Sequence, residues 1–510
     1  MATSRPKIPP RPPARPKKPS RERSEPLPPP PPPPLHRRIL FLPSSQTPSP
    51  RILHSAAHDS LDPLILDLIA LTLRAYVLPW YNGAISRDPD KDFLQACTNV
   101  LVHVVQALEV RLAAFDWATL VLDEVPTVLA EHYRDWDLAQ EKAASGSTLH
   151  NLSLGELFDR IHPHLAVHVV TADDLAAAPP PPPQTPTSSP KASPPIEARV
   201  DPTYLRALTD HLLRLLLPPE DYRSTTERAI IREVLVGVVF RTVFDRVAQP
   251  WFVHALIAKQ LEARKLDEAA RTILRMPPAE SKGRSPWLER AGRTFWTVTD
   301  LALSVPSRIA TWIAAPSSLS PSSSSSSSTL APASQSSAAS IPSSLLDLVS
   351  SILPQSLFLS QLLTLVSLPL SYLSPRISAR LASTVQSRLA NAATARLVLE
   401  ALKRGLFPLE GGWPAPKEPD PDQVERKEWQ RRAEAAVAES LPEWLPTVLC
   451  PGNLNSNGST DHRLLLARHL LRPFNSHTAN VHLLVLILDL VVGKLAPELI
   501  SGEGFAADVD

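Results

Sequence analysis

Apolar positions recur along this chain at helical rather than strand spacing. Leu64, Leu68, Leu71 and Ala75 fall at i, i+4, i+7 and i+11, one face of a helix within Leu61–Tyr81. Asp59 or Ser60 is placed to cap it, and Pro63 is tolerated near its start. After the turn signal Asp88-Pro89-Asp90, the positions Phe93, Cys97, Val100, Leu101, Val104, Leu108 and Leu112 form a second stripe. A third helix is predicted near 116–133, bent at Pro126, and a fourth over Leu154–His168. Tyr204, Leu205, Leu208, Leu212 and Leu215 make one later face; Ile230, Ile231, Val234, Leu235, Val238 and Val239 make the next. Further helices are expected around Leu397–Leu402, over Gln423–Leu445 and over Asn480–Leu499. The last is apolar nearly all round, a pattern that demands burial on all sides. No sustained period-2 alternation occurs, so β content should be small. The fold class read from this pattern is all-α, with two helical regions that dock together.

Composition divides the chain. It has 510 residues, 57 of them Pro and only 14 Gly. Residues 1–58 read as a disordered, basic, Pro-rich tail with a polyproline run at Pro28–Pro34. A first helical region spans 59–262, with a Pro/Ala/Ser loop inserted at 176–199. A helical connector (263–315) leads to a disordered Ser/Pro-rich linker (316–342), a second helical region (343–500) and a short tail (501–510).

The formal net charge is +1, but it is unevenly placed. Residues 1–38 hold ten Lys/Arg, including Arg11, Arg15, Lys17, Lys18, Arg37 and Arg38, against Glu22 and Glu25, a net +8. Such a tail suits an anionic membrane surface, where each basic residue contributes about 1 kcal/mol; its prolines suit SH3-type domains. A plain solvated tail is the simpler alternative, and no nucleic-acid partner is expected.

Two distant cysteines, Cys97 and Cys450, make no disulfide framework or zinc spacing and point to the reducing cytosol. Cys97, on an apolar stripe, reads as a small hydrophobe. His162-x-His164 and His132 are weak metal candidates without a Cys or Glu cluster. No P-loop, G-x-S-x-G or G-x-G-x-x-G occurs, so no catalytic residue, cofactor or metal is assigned. Leu61–Tyr81 carries Asp62, Asp67 and Arg74, which argue for a soluble buried helix rather than a membrane span. Leu348–Pro375 is uncharged but broken by Pro354 and Pro369, and reads as a buried or interfacial helix. Trp80-Tyr81 is read as a core corner before an interfacial anchor.

Spaced residues give a further signal. Trp80-Tyr81, Ser86-x-Asp88-x-Asp90-x-x-Phe93, Arg111-Leu112-x-x-x-Asp116 and His132-Tyr133 are followed by Asp201-x-x-Tyr204-Leu205-Arg206 and Leu217-Pro218-Pro219. Glu227-Arg228, Arg232-Glu233 and Gln249-Pro250-Trp251 complete the series. In this order they resemble the PX-associated (PXA) domain of sorting-nexin-like proteins. More weakly, Leu406-Phe407-Pro408, Gly412-Trp413-Pro414, Leu441-Pro442, Asn480-x-His482-Leu483, Leu488-Asp489-Leu490 and Pro497-Glu498-Leu499 resemble the nexin C-terminal domain. No PX or RGS-like segment lies between them, as in shorter fungal relatives. The resemblance implies a non-enzymatic lipid-binding or lipid-transfer protein, cytoplasmic and peripheral to endosome, vacuole or endoplasmic reticulum. Its partner would be a phospholipid or membrane surface, with acyl chains enclosed in an apolar cavity between the two regions. Leu483, Leu486, Ile487 and Leu490 are the candidate lipid-facing or inter-region positions, and the basic tail residues named above the candidate membrane contacts. The alternative is a membrane tether or trafficking adaptor.

Overall fold

Long amphipathic and wholly apolar segments can bury their faces only against one another, and helix-on-helix packing results. The structure, a computed structural model, describes residues 34–41, 51–55, 59–84, 91–145, 152–170, 198–274, 341–353, 361, 378–409, 413–414, 420–441 and 459–501. Among them the only sheet is one antiparallel pair, Val167–Val169 with Ala198–Val200. The inserted loop expected over 176–199 thus ends in a strand at Ala198, and its remainder lies outside the described residues, as do the Ser-rich run and Leu348–Pro375 beyond residue 353, apart from residue 361.

Three of the helices widen into a single π-turn, at Leu73–Val77, Leu120–Glu124 and Leu235–Phe240. Two of these have a common cause. Leu78 and Val125 donate their N–H groups five residues back, to Leu73 and Leu120, and each is followed by proline, Pro79 or Pro126. A proline ring has no N–H and clashes with the carbonyl four residues earlier; the wider turn moves that carbonyl aside. Pro126 is therefore absorbed by a π-turn, and the helix runs on through Val125–Ala144.

The first long helix begins at Asp62, not at a cap from Asp59 or Ser60, and Leu61 gives no side-chain cap. Its fully buried positions are Ile65, Leu66, Ile69, Ala70, Leu71 and Leu73; of the expected stripe Leu71 is buried, whereas Leu64, Leu68 and Ala75 are half-buried. Both stripes are apolar, so periodicity alone did not choose between them. The fourth helix stops at Ile161; Pro163 prevents its continuation to His168. Gln423–Ser440 and His477–Leu495 also differ by a few residues from their expected limits.

The tail expected over 1–58 is not free of structure. Leu35–Leu40 forms a short helix, and Leu40, Ile52 and Leu53 are buried in the first core cluster with Leu66 and Ile69. Carboxylates hold this strap through its backbone. Asp62 accepts the N–H groups of Ile52 and Leu53, both at 3.1 Å. Asp67 accepts the N–H of His36 at 3.1 Å, and Glu109 accepts those of His54 and Ser55 at 2.8 and 3.2 Å. Lys91, at φ 58°, directs its ammonium to the carbonyls of Arg38, Ile39 and Phe41 at 3.1, 2.8 and 2.8 Å, closing the short helix. The charges that argued against a membrane span thus serve a specific structural end. Asp62→Asn replaces one acceptor oxygen by a donor facing a backbone N–H. It is expected to destabilise the fold by about 1–2 kcal/mol. Hydrogen exchange should quicken at Ile52 and Leu53 before the helices open; unchanged exchange there would count against this account.

The second helical region packs on the first along its length. Ala395 and Leu399 cover the first cluster; Val385 and Leu345 meet Leu122; Ala433 and Leu471 meet Ala258. The terminal helix places Val481, Leu484, Val485 and Leu488 against Ala166, Ala198, Leu205, Val236 and Phe244.

Candidate functional site

The seam between the two regions is where the spaced residues of both motif series converge. Asn480 is buried, and its amide donates to the Ala248 carbonyl at 2.9 Å, just before Gln249-Pro250-Trp251, and to the Phe474 carbonyl at 3.1 Å. His482 is fully buried and its Nε2 lies 3.0 Å from Asp159. The Tyr133 hydroxyl donates to the Leu470 carbonyl at 2.6 Å, and that of Tyr204 to Asp489. Arg111 donates to the Leu495 carbonyl at 3.0 Å and to Glu498 at 3.1 Å, closing the C-terminal end of the terminal helix. Asp116 instead caps its own helix through Thr119. Further ion pairs cross the seam, among them Arg472 with Asp137 at 2.9 Å and Lys494 with Glu124 at 3.0 Å. Glu227-Arg228 and Arg232-Glu233 serve the first region internally: Arg228 and Arg232 face Asp210, and Arg206 holds Glu233.

The histidines take separate partners rather than gathering. His162 faces Asp135 at 2.9 Å and His164 faces Asp489 at 3.4 Å, while His132 sits edge-on to Phe158. Burial pulls His132 down to about 3, helped by nearby His482 and His162. Burial likewise takes His482 down to about 4 against the opposing pull of Asp159, and His477 to about 4. All three are neutral at pH 7. Burial also raises both phenols, Tyr133 and Tyr204, the latter further through Asp489. At Asp67, burial pushes upward, but Lys403 at 2.6 Å and His36 at 2.8 Å outweigh it and hold the carboxyl below its ordinary value. Of these groups, Tyr133, Tyr204, His482 and Asp67 pair across the seam, with Leu470, Asp489, Asp159 and Lys403. Among the described residues the arrangement is that of a clamp.

Of the candidate lipid-facing positions, Leu483 is buried, and Leu486, Ile487 and Leu490 are half-buried on the side opposite Val481 and Val485. Arg37 is half-buried and Arg38 exposed on the strap helix; Arg11, Arg15, Lys17 and Lys18 lie outside the described residues. Tyr81 stacks on Phe93 at 3.8 Å, both half-buried. Cys97 packs against the first cluster. The seam carboxylates Asp159 and Asp489 and the strap carboxylates Asp62 and Glu109 were not singled out from sequence as ligands of other groups. An isolated acid in an apolar helix was the signal available at Asp62 and Asp67.

Alongside the polar clamp runs an apolar stretch that is only partly covered. In the helix Asp92–Ala113, Leu94 and Thr98 alone are fully buried, while Val100, Leu101, Val104, Val105 and Leu108 are half-buried. Among the described residues, this helix and His477–Leu495 are long and apolar enough to cross a membrane by length and composition. Glu109 and Arg111 on the former are tied to the strap and to the terminal helix, and the latter is 44 % buried in its most apolar window. The terminal helix is thus packed within the fold, whereas the former has only 11 % of its most apolar window buried.

Residues 58–260 match the family model of the PXA domain, about two fifths of the chain. Among curated proteins, the chain is 25 % identical over 185 residues to PXA domain protein 1 of Schizosaccharomyces pombe, covering 36 % of this chain and 30 % of that one. It is 25 % identical over 201 residues to sorting nexin-14 of Danio rerio, covering 39 % of this chain and 18 % of that one. It is 22 % identical over 197 residues to sorting nexin-13 of Mus musculus, again 39 % and 18 %. The chain thus spans less than a third of the length of these relatives. No solved structure matches it. The first helical region is a PXA domain related to those of sorting nexins 13 and 14.

Proposed function

We propose that this PXA-domain chain is a non-enzymatic lipid-binding protein of endomembrane surfaces. In this reading its two helical regions enclose acyl chains along their seam and transfer lipid between membranes. The PXA domain shared with sorting nexins 13 and 14 implies a membrane-trafficking or lipid-related role. The nexin-C-like reading of 343–500 supplies the second wall, and the protein is peripheral to endosome, vacuole or endoplasmic reticulum.

The observation that carries the enclosure is the helix Asp92–Ala113. Its most apolar window has a mean hydropathy of 1.3, yet only 11 % of that window is buried. A half-covered aliphatic surface on a helix that also meets Pro202–Leu216 is a place where an acyl chain gains burial without displacing a polar contact. The clamp residues hold the two walls at fixed separation. Native mass spectrometry of the purified chain, followed by lipid extraction, is expected to find a glycerophospholipid or neutral lipid at near-stoichiometric amount. A clean apo mass, with no transfer between vesicles, would sink this reading and favour the tether or adaptor.

A further inference from the structure

Helix Ala392–Leu406 buries only part of its apolar face. Ala395 and Leu399 lie on the first core cluster, but Val398, Leu402 and Leu406, at i, i+4 and i+8, remain exposed. The chain then turns through Phe407, which is buried, and Leu409 bridges to Trp413. Tyr76 of the first helical region leans on Phe407 with ring centroids 6.4 Å apart, and the Arg74 guanidinium lies 4.3 Å from the Trp413 ring. Tyr76, Val398, Leu402, Leu406, Leu409 and Trp413 are each 44–59 % exposed. Large apolar side chains gathered at one exposed corner mark a contact surface, not scattered surface residues.

The charge around this corner is one-sided. Arg74, Arg396, Lys403 and Arg404 stand beside it, and Arg38 is close enough to Arg74 to act on it electrostatically. These five basic side chains stand against two described carboxylates, Asp67 with Lys403 and Glu400 with Arg396 and Arg404. Glu400 is shared, at 3.0 Å from Arg396 and 3.2 Å from Arg404. The strap helix is also where the basic tail, with Arg11, Arg15, Lys17 and Lys18, joins the fold. Trp and Tyr beside Leu, ringed by Arg and continuous with a polybasic segment, is the chemistry that suits a headgroup–acyl boundary bearing negative charge.

We propose that this corner is the face by which the chain docks on an anionic phospholipid membrane, with Leu402, Leu406, Leu409, Tyr76 and Trp413 entering the interface and the arginines meeting the headgroups. The inference rests on the membrane-associated part of the proposed function and adds where contact is made. It also orients the chain, since Arg74 and Trp413 come from different regions and both meet the bilayer only while the seam is closed.

Flotation of the full chain with vesicles of phosphatidylcholine containing about one quarter phosphatidylserine is the test. Binding is expected to fall by about tenfold or more in Leu402→Asp/Leu406→Asp, and to weaken with added salt. Vesicles with brominated acyl chains should quench tryptophan emission of the wild-type chain, and the conservative Trp413→Phe should remove that quenching. Wild-type flotation by the double variant, or unchanged quenching in Trp413→Phe, overturns the docking face, and so does failure to bind anionic vesicles at all. Lipid extraction from the same preparations separates this from the enclosure reading. Variants that carry lipid but float poorly support both; a wild type that carries none but floats through Trp413 leaves the docking face standing alone.

Discussion

Exchanging Asn480 for aspartate is expected to destabilise the protein by about 3 kcal/mol or more, and to do so more than exchange for alanine. The ordering runs against shape, because aspartate is the closer isostere. Asn480 is 3 % exposed, and its amide donates to the carbonyls of Ala248 and Phe474. Alanine leaves those two acceptors unpaired, at about 1–3 kcal/mol in all, partly offset because the native Asn480 Oδ1 has no partner. Aspartate puts a negative oxygen against both carbonyls with no proton to share. The loss should be felt first at the seam, since Ala248 belongs to the first region and Asn480 to the second. Denaturant unfolding of the two variants gives the order, and hydrogen exchange in the Pro250–Leu274 helix gives the place. Equal stability of the aspartate variant and the wild type would remove Asn480 as a clamp. Opening the seam should also release any enclosed lipid, which ties this substitution to the mass-spectrometric test.

The helical content and the docking of two regions were legible in the sequence because they follow from local spacing and from one helix too apolar to stand in water. None of the terminal helix's residues from His477 to Leu495 is exposed, although Leu486, Ile487 and Leu490 are covered only in part. The motif residues Arg111, Tyr133, Tyr204, Asn480, His482 and Asp489 were legible as positions, and their partners were not. Arg111 finds Leu495 and Glu498 more than 380 residues away, and the sequence around either end carries no mark of the other. The strap was hidden for another reason. Its composition is that of a tail, and what orders it is backbone amides binding Asp62, Asp67 and Glu109, which any sequence of suitable shape can offer. The π-turn at Pro126 was readable as helix disturbance and that at Pro79 was not, and whether a proline bends a helix or widens it depends on the packing around it.

Acidification is expected to loosen the seam well before general acid denaturation. His132, His477 and His482 are held to about 3, 4 and 4 in the fold, each chiefly by burial, against an ordinary value of 6.5. A histidine whose folded value is depressed takes its proton in the unfolded chain first. Its contribution is intact above pH 6.5 and is lost as the pH falls from there toward the folded value, each unit removing about 1.4 kcal/mol per site. The three losses share one direction and fall in the same window between pH 6.5 and pH 5. Groups facing His482 modulate this. Asp159 favours its proton, while His164 and His162 oppose it. These three belong to the polar face where the regions meet, with His477 and His482 on the terminal helix and His132 beside Phe474, and burial also lowers His254 and His469. Stability measured in denaturant between pH 7 and pH 5 should fall steeply, and His482→Asn should flatten the slope by the share of one site. A variant with the wild-type slope would mean that His482 titrates equally in both states and takes no part. If the slope is as expected, a drop of one to two pH units weakens the contacts that hold the two regions together, and a lipid enclosed between them would leave more readily in an acidified compartment than in neutral cytosol.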